Sequence, residues 1–232
     1  MAVIKLDKVS KIYDAGKIPV QALDQVNLEI EAGEFTAIVG PSGSGKTTLL
    51  NIIGGLDRPS SGDIEVGGVD VDQLSDNKLI DFRKDHIGFV FQSYNLIPVL
   101  TALENVEFVM LLQKRSRKER LERAKELLQA VGLEDKLDKR PSELSGGQQQ
   151  RVAVARALAP KPSFILADEP TANLDSTSAG NLLDIMAKLN AQEGITFVFS
   201  THDPRVIERA RRVVTLVDGA IASDVRKSEP VQ

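Results

Sequence analysis

Short apolar runs and helical stripes alternate along most of this chain. Val26, Leu28 and Ile30 alternate with Asn27 and Glu29, the two-residue period of a half-buried strand. Ile64 and Val66 repeat that pattern ahead of a Gly67-Gly68 turn. Short apolar runs follow: Glu34 to Val39 ends in Ala37-Ile38-Val39 and stops at Gly40, Phe164 to Ala167 stops at Asp168, Ile195 to Phe199 at Ser200, and Val213 to Val217 at Asp218. Such runs, separated by helical segments, predict buried strands of a parallel sheet. Leu121, Ala124, Leu127, Leu128 and Val131 form one helical stripe, and Leu182, Leu183, Ile185, Met186 and Leu189 form another. Residues 70 to 142 read as mostly helical between two strand-rich regions, which predicts a helical sub-domain inserted into an α/β core. The polar stretch from Asp224 to Gln232 predicts a frayed tail.

Composition narrows the class. Hydrophobic residues at 42% and charged residues at 27% exclude a disordered or collagen-like chain. A length of 232 residues fits one domain, or one core with a sub-domain, at roughly 150 residues per domain. With no cysteine, disulfide scaffolds, cysteine-based zinc sites and thiol catalysis drop out. A net charge of −4 argues against nucleic acid as the main partner, because no basic excess neutralises phosphates. Charges at Lys5, Asp7 and Lys8 leave no apolar stretch for a signal peptide. Ile87 to Leu103 carries no formal charge, but Gln92, Ser93, Asn95 and Pro98 interrupt it, so it reads as core rather than membrane span.

Three segments carry chemistry. Gly40-Pro41-Ser42-Gly43-Ser44-Gly45-Lys46-Thr47 fits G-x-x-x-x-G-K-[ST], with an apolar strand before it and Thr48 to Ile53 reading as helix after it. Glycines let the backbone curl so that its N–H groups converge on phosphate oxygens at a helix N-terminus. Lys46 adds positive charge at the β- and γ-phosphates, and the Thr47 hydroxyl suits Mg²⁺. Asp168 and Glu169 end an apolar strand, at the sheet edge where ligands sit in open α/β folds. Asp168 suits Mg²⁺; Glu169 is placed to polarise an attacking water. Leu144-Ser145-Gly146-Gly147-Gln148 opens the helix Gln149 to Ala157 and offers a second anion site from a hydroxyl and free N–H groups. Its plain alternative is an ordinary serine helix cap.

Taken together, these motifs resemble the nucleotide-binding subunit of an ATP-binding cassette (ABC) transporter, over about Val3 to Gly219. The order of Gly40–Thr47 (Walker A), Gln92, Leu144–Gln148, Asp168-Glu169 (Walker B), Asn173-Leu174-Asp175 and His202 is that of the family. The resemblance implies a P-loop NTPase core with an N-terminal antiparallel β sub-domain and an inserted helical sub-domain. The expected layout is one domain over residues 1–224, its helical part at about 93–160, and a short polar tail over 225–232.

The resemblance also implies roles. Lys46, Gln92, Glu169 and His202 would be catalytic. Tyr13, Gly40 to Thr48, and Ser145 to Gln148 would bind ATP, with Tyr13 under the adenine. Thr47, Gln92 and Asp168 would hold Mg²⁺, and Asp175 would align the facing site. Two copies would pair head to tail, each ATP lying between Walker A of one and Ser145-Gly146-Gly147 of the other. Integral-membrane subunits would be the further partners, no nucleic acid would be one, and the chain would sit on the cytoplasmic face of the inner membrane. His86 has no motif support and is left structural.

The stretches around Ile87–Gln92, Asn95–Val106 and Ala167–Asp175 resemble the group of macrolide exporters, lipoprotein-releasing systems and antimicrobial-peptide pumps. Ala172 departs from the glycine that many members have there. The expected function is ATP hydrolysis powering a separate membrane complex that exports or extracts a lipoprotein, peptide or hydrophobic compound. The competing expectation is a non-transport ABC ATPase of DNA repair or translation. Residues Ser93 to Val106 are expected to form part of the docking groove for the membrane subunit.

Overall fold

The computed structural model describes residues 2–14 and 18–227. Two sheets and a set of helices make up the fold. The smaller sheet is antiparallel, with β1 (Ala2–Tyr13) between β2 (Val20–Glu31) and β4 (Ser61–Val66), and β5 (Val69–Asp70) at the edge. Its register places Ile4 opposite both Ile30 and Val66, and Leu6 opposite both Leu28 and Ile64. These apolar pairs across three strands give the sheet one buried face, which is what the two-residue alternation predicts.

The larger sheet has the order β10-β9-β3-β8-β7-β6, built from β3 (Phe35–Val39), β6 (Ile87–Val90), β7 (Phe164–Asp168), β8 (Thr196–Ser200), β9 (Arg212–Val217) and β10 (Ala220–Arg226). All neighbours are parallel except β9 and β10. Helix α1 (Lys46–Ile53) packs between the two sheets, where Leu49, Leu50, Ile52 and Ile53 meet Ile4, Leu28, Ile38 and Leu166. The opposite face of the larger sheet carries α3 (Ala102–Leu112), α4 (Arg117–Ala130), α5 (Gly146–Leu158) and α6 (Ser176–Glu193). Phe35, Phe197 and Phe199 from the sheet join Val106, Leu127, Val152 and Leu182 in that second core. Both helical stripes are confirmed: Ala124, Leu127 and Leu128 are buried on α4, and Leu182, Leu183, Met186 and Leu189 on α6.

Two expectations are corrected. Residues 70 to 142, expected to be a mostly helical insertion, contain a strand of the α/β core. Helix α2 (Asp76–His86) is followed at once by strand β6, which belongs to the larger sheet. A four-residue strand containing a glycine gives little periodic signal. Gly88 is needed because a Cβ there would lie 2.6 Å from the Ala157 carbonyl of α5. Nor does the chain fray from Asp224. Asp224, Val225 and Arg226 continue β10 against Val214, Val213 and Arg212. Buried Arg212 fixes this edge, with Nη2 at 2.7 Å from Asp224 and Nη1 at 2.9 Å from Glu34. The rest of the expected tail, 228–232, lies outside the described residues. Among the described residues no helix is long and apolar enough to cross a membrane.

Candidate nucleotide site

Strand β3 runs into the Gly40–Thr47 loop, and α1 leaves it, so the loop sits at the C-terminal edge of the parallel strands. Its curl depends on glycine at two points. Gly45 is left-handed at φ 101°, and an added Cβ would run into the Ala22 carbonyl; Gly43 is left-handed at φ 80°. The Lys46 ammonium folds back over the loop and donates to the Gly40 and Pro41 carbonyls, each at 2.9 Å. Ser44 is buried behind the loop, and its hydroxyl has no hydrogen-bond partner among the described residues.

The ends of β7 and β8 supply the facing wall. Thr47 Oγ1 lies 3.2 Å from both carboxylate oxygens of Asp168. Burial pushes the Asp168 carboxyl above its usual range, opposed by the Ser200 and Thr47 hydroxyls, while the adjacent Glu169 charge adds to the rise. Glu169 has a left-handed backbone at φ 47°. Its N–H donates to the Ser200 carbonyl at 2.8 Å, and its Oε1 lies 2.7 Å from His202 Nδ1. The Glu169 side chain is mostly buried and that of His202 mostly exposed. This unusual backbone turns the second of two consecutive carboxylates away from the first.

These elements enclose a cleft of about 610 Å³, lined by Gly40 to Gly43, Gly45 to Thr48, Gln92, Glu169 and His202, with Val20, Gln21 and Ala22 from β2. The fold therefore gathers Lys46, Thr47, Gln92, Glu169 and His202, which are spread over more than half the chain. It does not bring Ser145 to Gln148 there. Ser145 caps α5: its Oγ accepts from Gln148 N–H at 3.3 Å, and Gln148 Oε1 accepts from Ser145 N–H at 2.9 Å. Asp175 caps α6 by accepting from the Thr177 and Ser178 N–H groups at 3.0 Å. Gly147 is forced by that neighbour, since a Cβ would come within 2.9 Å of Ser178.

Tyr13 also lies outside the cleft lining. It stands opposite Val20 in the β1–β2 pair, and its hydroxyl donates to Asp57 at 2.7 Å. His86 stacks on Phe82 with ring centres 4.6 Å apart and has no contact with the site.

The family model for ABC transporter matches residues 23–172. The chain belongs to the ABC transporter family. It is 49% identical to the uncharacterized ABC transporter ATP-binding protein YvrO of Bacillus subtilis, over 96% of this chain and 97% of that protein. It is 49% identical to a lipoprotein-releasing system ATP-binding protein, LolD, of Anaeromyxobacter dehalogenans, over 95% of this chain and 93% of that one. Against a macrolide export ATP-binding/permease protein, MacB, of Rhodopirellula baltica it is 47% identical, over 97% of this chain but 33% of that protein. Its structure resembles that of the ATP-binding cassette MJ0796 in a dimeric post-hydrolysis state bound to ADP and phosphate, with a TM-score of 0.90, 46% identity, and coverage of 98% of this chain and 100% of that one. This ABC protein is an ATP-binding ATPase subunit of the transporter class; the competing DNA-repair or translation role finds no support.

Several residues around the site escaped the sequence reading. Gln150, fully buried on α5, donates from Nε2 to the Pro170 carbonyl at 2.8 Å and to the Phe91 carbonyl at 3.3 Å. It thus ties the helix after Ser145 to the residue before Gln92 and to the residue after Glu169. Arg156, one turn and a half further on, donates to the Tyr94 and Asn95 carbonyls at 2.9 and 2.5 Å. Asp203 accepts from Thr171 Oγ1 at 2.6 Å and from Arg205 Nη2 at 2.7 Å. The Arg205 hydrogen bonds, with help from Thr171 and against burial, lower its carboxyl to about 2. Only the position of Gln150 beside Leu144–Gln148 signalled it; the other two needed the fold.

Proposed function

We propose that this chain is the ATP-hydrolysing subunit of a membrane complex whose transmembrane subunits are separate polypeptides, acting on the cytoplasmic face of the inner (plasma) membrane. The carrying observation is the single cleft in which Lys46, Thr47, Gln92, Glu169 and His202 converge. Loop N–H groups and Lys46 bind the β- and γ-phosphates. Glu169 takes a proton from the attacking water, and His202 holds both the Glu169 carboxylate and the γ-phosphate. Gln92 reports nucleotide state to the helical region through the loop that follows it.

The donor set fits Mg²⁺. Asp168 and the Thr47 hydroxyl offer hard oxygens side by side, and among the described residues no cluster of three acidic or imidazole groups forms a cage of its own. That is the arrangement for an ion shared with substrate phosphates, and bound Mg²⁺ would supply charge neutralisation at those phosphates. Ser145, Gly146, Gly147 and Gln148 serve the cleft of a second copy, with Asp175 aligning it.

An apolar groove of about 440 Å³ is the proposed seat of a helix of the membrane subunit. Ile80, Phe89, Phe91, Phe108, Val109 and Leu112 line it, together with Asn95 and Ile97. Of the expected docking segment, only Asn95 and Ile97 reach it; Leu96 packs on the core and Asn105 is buried. Exposed Ile80 and Leu112, both about half exposed, lie on its rim. The fused permease of the MacB relative supports this occupant, and the LolD and MacB names favour export or extraction of a lipoprotein, peptide or hydrophobic compound.

Substituting Ile80 and Leu112 singly with Ser tests the coupling. The isolated subunit should keep its melting temperature and basal hydrolysis while losing co-purification with the membrane subunits. Retained co-purification would refute the groove assignment, and absent ATP hydrolysis in the parent chain would refute the function.

A further inference from the structure

The strand that ends at Tyr13 meets the loop after α1 in a small closed network. Asp57 accepts the Tyr13 hydroxyl on Oδ2 at 2.7 Å and the Lys11 ammonium on Oδ1 at 2.6 Å. Its Oδ1 also takes the Arg58 N–H at 2.7 Å, and Lys11 donates again to the Arg58 carbonyl at 2.7 Å. The same ammonium lies over the Tyr13 ring, 4.8 Å from its centre. Lys11 is mostly buried and Asp57 largely so, while the Tyr13 residue remains 37% exposed. One ring face is therefore covered by a cation, the ring edge is anchored through its hydroxyl, and the remaining exposed surface belongs to a residue whose cross-strand neighbour, Val20, lines the cleft.

A two-rotor aromatic side chain on an exposed strand end would otherwise sample several orientations, and that freedom would have to be lost on binding a base. We infer that Asp57, assisted by Lys11, is a positioning residue that holds the Tyr13 ring ready as the platform for the nucleotide's purine. This rests on the reading of Tyr13 as the base-binding ring. The single O–H donor of Tyr13 is spent on Asp57, so the ring presents an aromatic face and no donor to the base. Stacking then selects a large flat ring, and ATP and GTP should be used with similar KM.

The test is steady-state kinetics of the full chain with Mg²⁺ and each nucleotide, alongside melting temperature. Asp57→Ala should raise the KM for ATP about three- to tenfold, the range of one aromatic contact, and leave kcat unchanged. Tyr13→Phe, which keeps the ring and removes the same hydrogen bond from its other end, should shift KM in the same direction. The double variant should be no worse than Asp57→Ala, and Asp57→Asn, which keeps an acceptor oxygen, should recover most of the loss. A KM rise in Tyr13→Ala with none in Asp57→Ala or Tyr13→Phe would overturn the positioning role alone. No KM change in Tyr13→Ala would overturn the base-platform reading and the inference with it. A loss of kcat and melting temperature together in Asp57→Ala, with Tyr13→Phe unaffected in KM, would make Asp57 merely structural and overturn the inference.

Discussion

Two glycine- and serine-rich segments, Gly40–Thr47 and Ser145–Gln148, each open a helix, and their construction differs at every point. In the first, Gly43 and Gly45 take left-handed conformations, Lys46 lies over loop carbonyls, and the Ser44 hydroxyl finds no partner among the described residues. Around it stand Glu169, His202 and Gln92. In the second, the Ser145 hydroxyl and N–H are both engaged in the capping box, and the helix starts regularly at Gly146. No residue of Ser145–Gln148 reaches the cleft of its own chain. The loop lies in a walled cleft, and the helix start does not line it. A helix N-terminus still offers free N–H groups to an anion, and in the proposed dimer the second segment meets the phosphates that another copy brings. Gln150 carries the link between them, because it joins the helix behind Ser145 to the backbone beside both Gln92 and Glu169.

The largest expected effect lies on the loop side. Glu169→Gln should lower hydrolysis about a hundredfold or more while ATP binding persists, the loss expected for a general base. A rate near that of the parent would remove Glu169 from the chemistry and blur the contrast between the two segments. Lys46→Ala comes next. It should weaken ATP binding by at least about thirtyfold, the range for losing one partner of a buried charged contact, as read by equilibrium dialysis.

Asp203 sharpens the comparison by isolating support from chemistry. Its carboxyl is lowered to about 2 by Arg205 first and Thr171 after it. A depressed carboxylate contributes stability that is present above its unfolded pKa of about 4 and is lost as pH falls through about 2. The contribution is roughly 2 kcal/mol at neutral pH. Asp203→Asn should remove it and flatten the acid limb of stability between about pH 4 and 2, measured by denaturant unfolding. A parent-like acid limb would show that the Thr171–Asp203–Arg205 cluster does not brace the site.

The smallest effect is expected at the helix start. Ser145→Ala should cost about 1 kcal/mol of stability, the value of a serine cap. The ATP affinity of the dilute chain should stay unchanged, and hydrolysis should fall only where two copies meet. A weakened affinity in the dilute chain would mean that this segment serves its own cleft after all.

The phosphate loop, the Asp168-Glu169 strand end and the two core stripes were legible because each is local: a spacing, a run or a period. Strand β6 was hidden because Gly88 answers to the Ala157 carbonyl of a distant helix, not to a pattern around it. Strand β10 was hidden because its mostly exposed end, Ser223 to Arg226, is held by Arg212 and by pairing with β9. Gln150 reads as a polar residue on a helix until the Phe91 and Pro170 carbonyls arrive beside it. Asp57 is invisible for the same reason, since Tyr13 and Lys11 lie more than forty residues away. Even Tyr13, singled out from its place in the chain, gave no hint that its hydroxyl is tied down.

The central claim is that one chain carries two parts of a phosphate site that meet only across two copies. Size-exclusion chromatography of Glu169→Gln, with and without saturating ATP and Mg²⁺, tests it most directly. A monomer is expected without nucleotide and a dimer with it, with a return to monomer when Ser145→Phe is added to the same chain. A Glu169→Gln chain that binds ATP to saturation and still elutes as a monomer would contradict it.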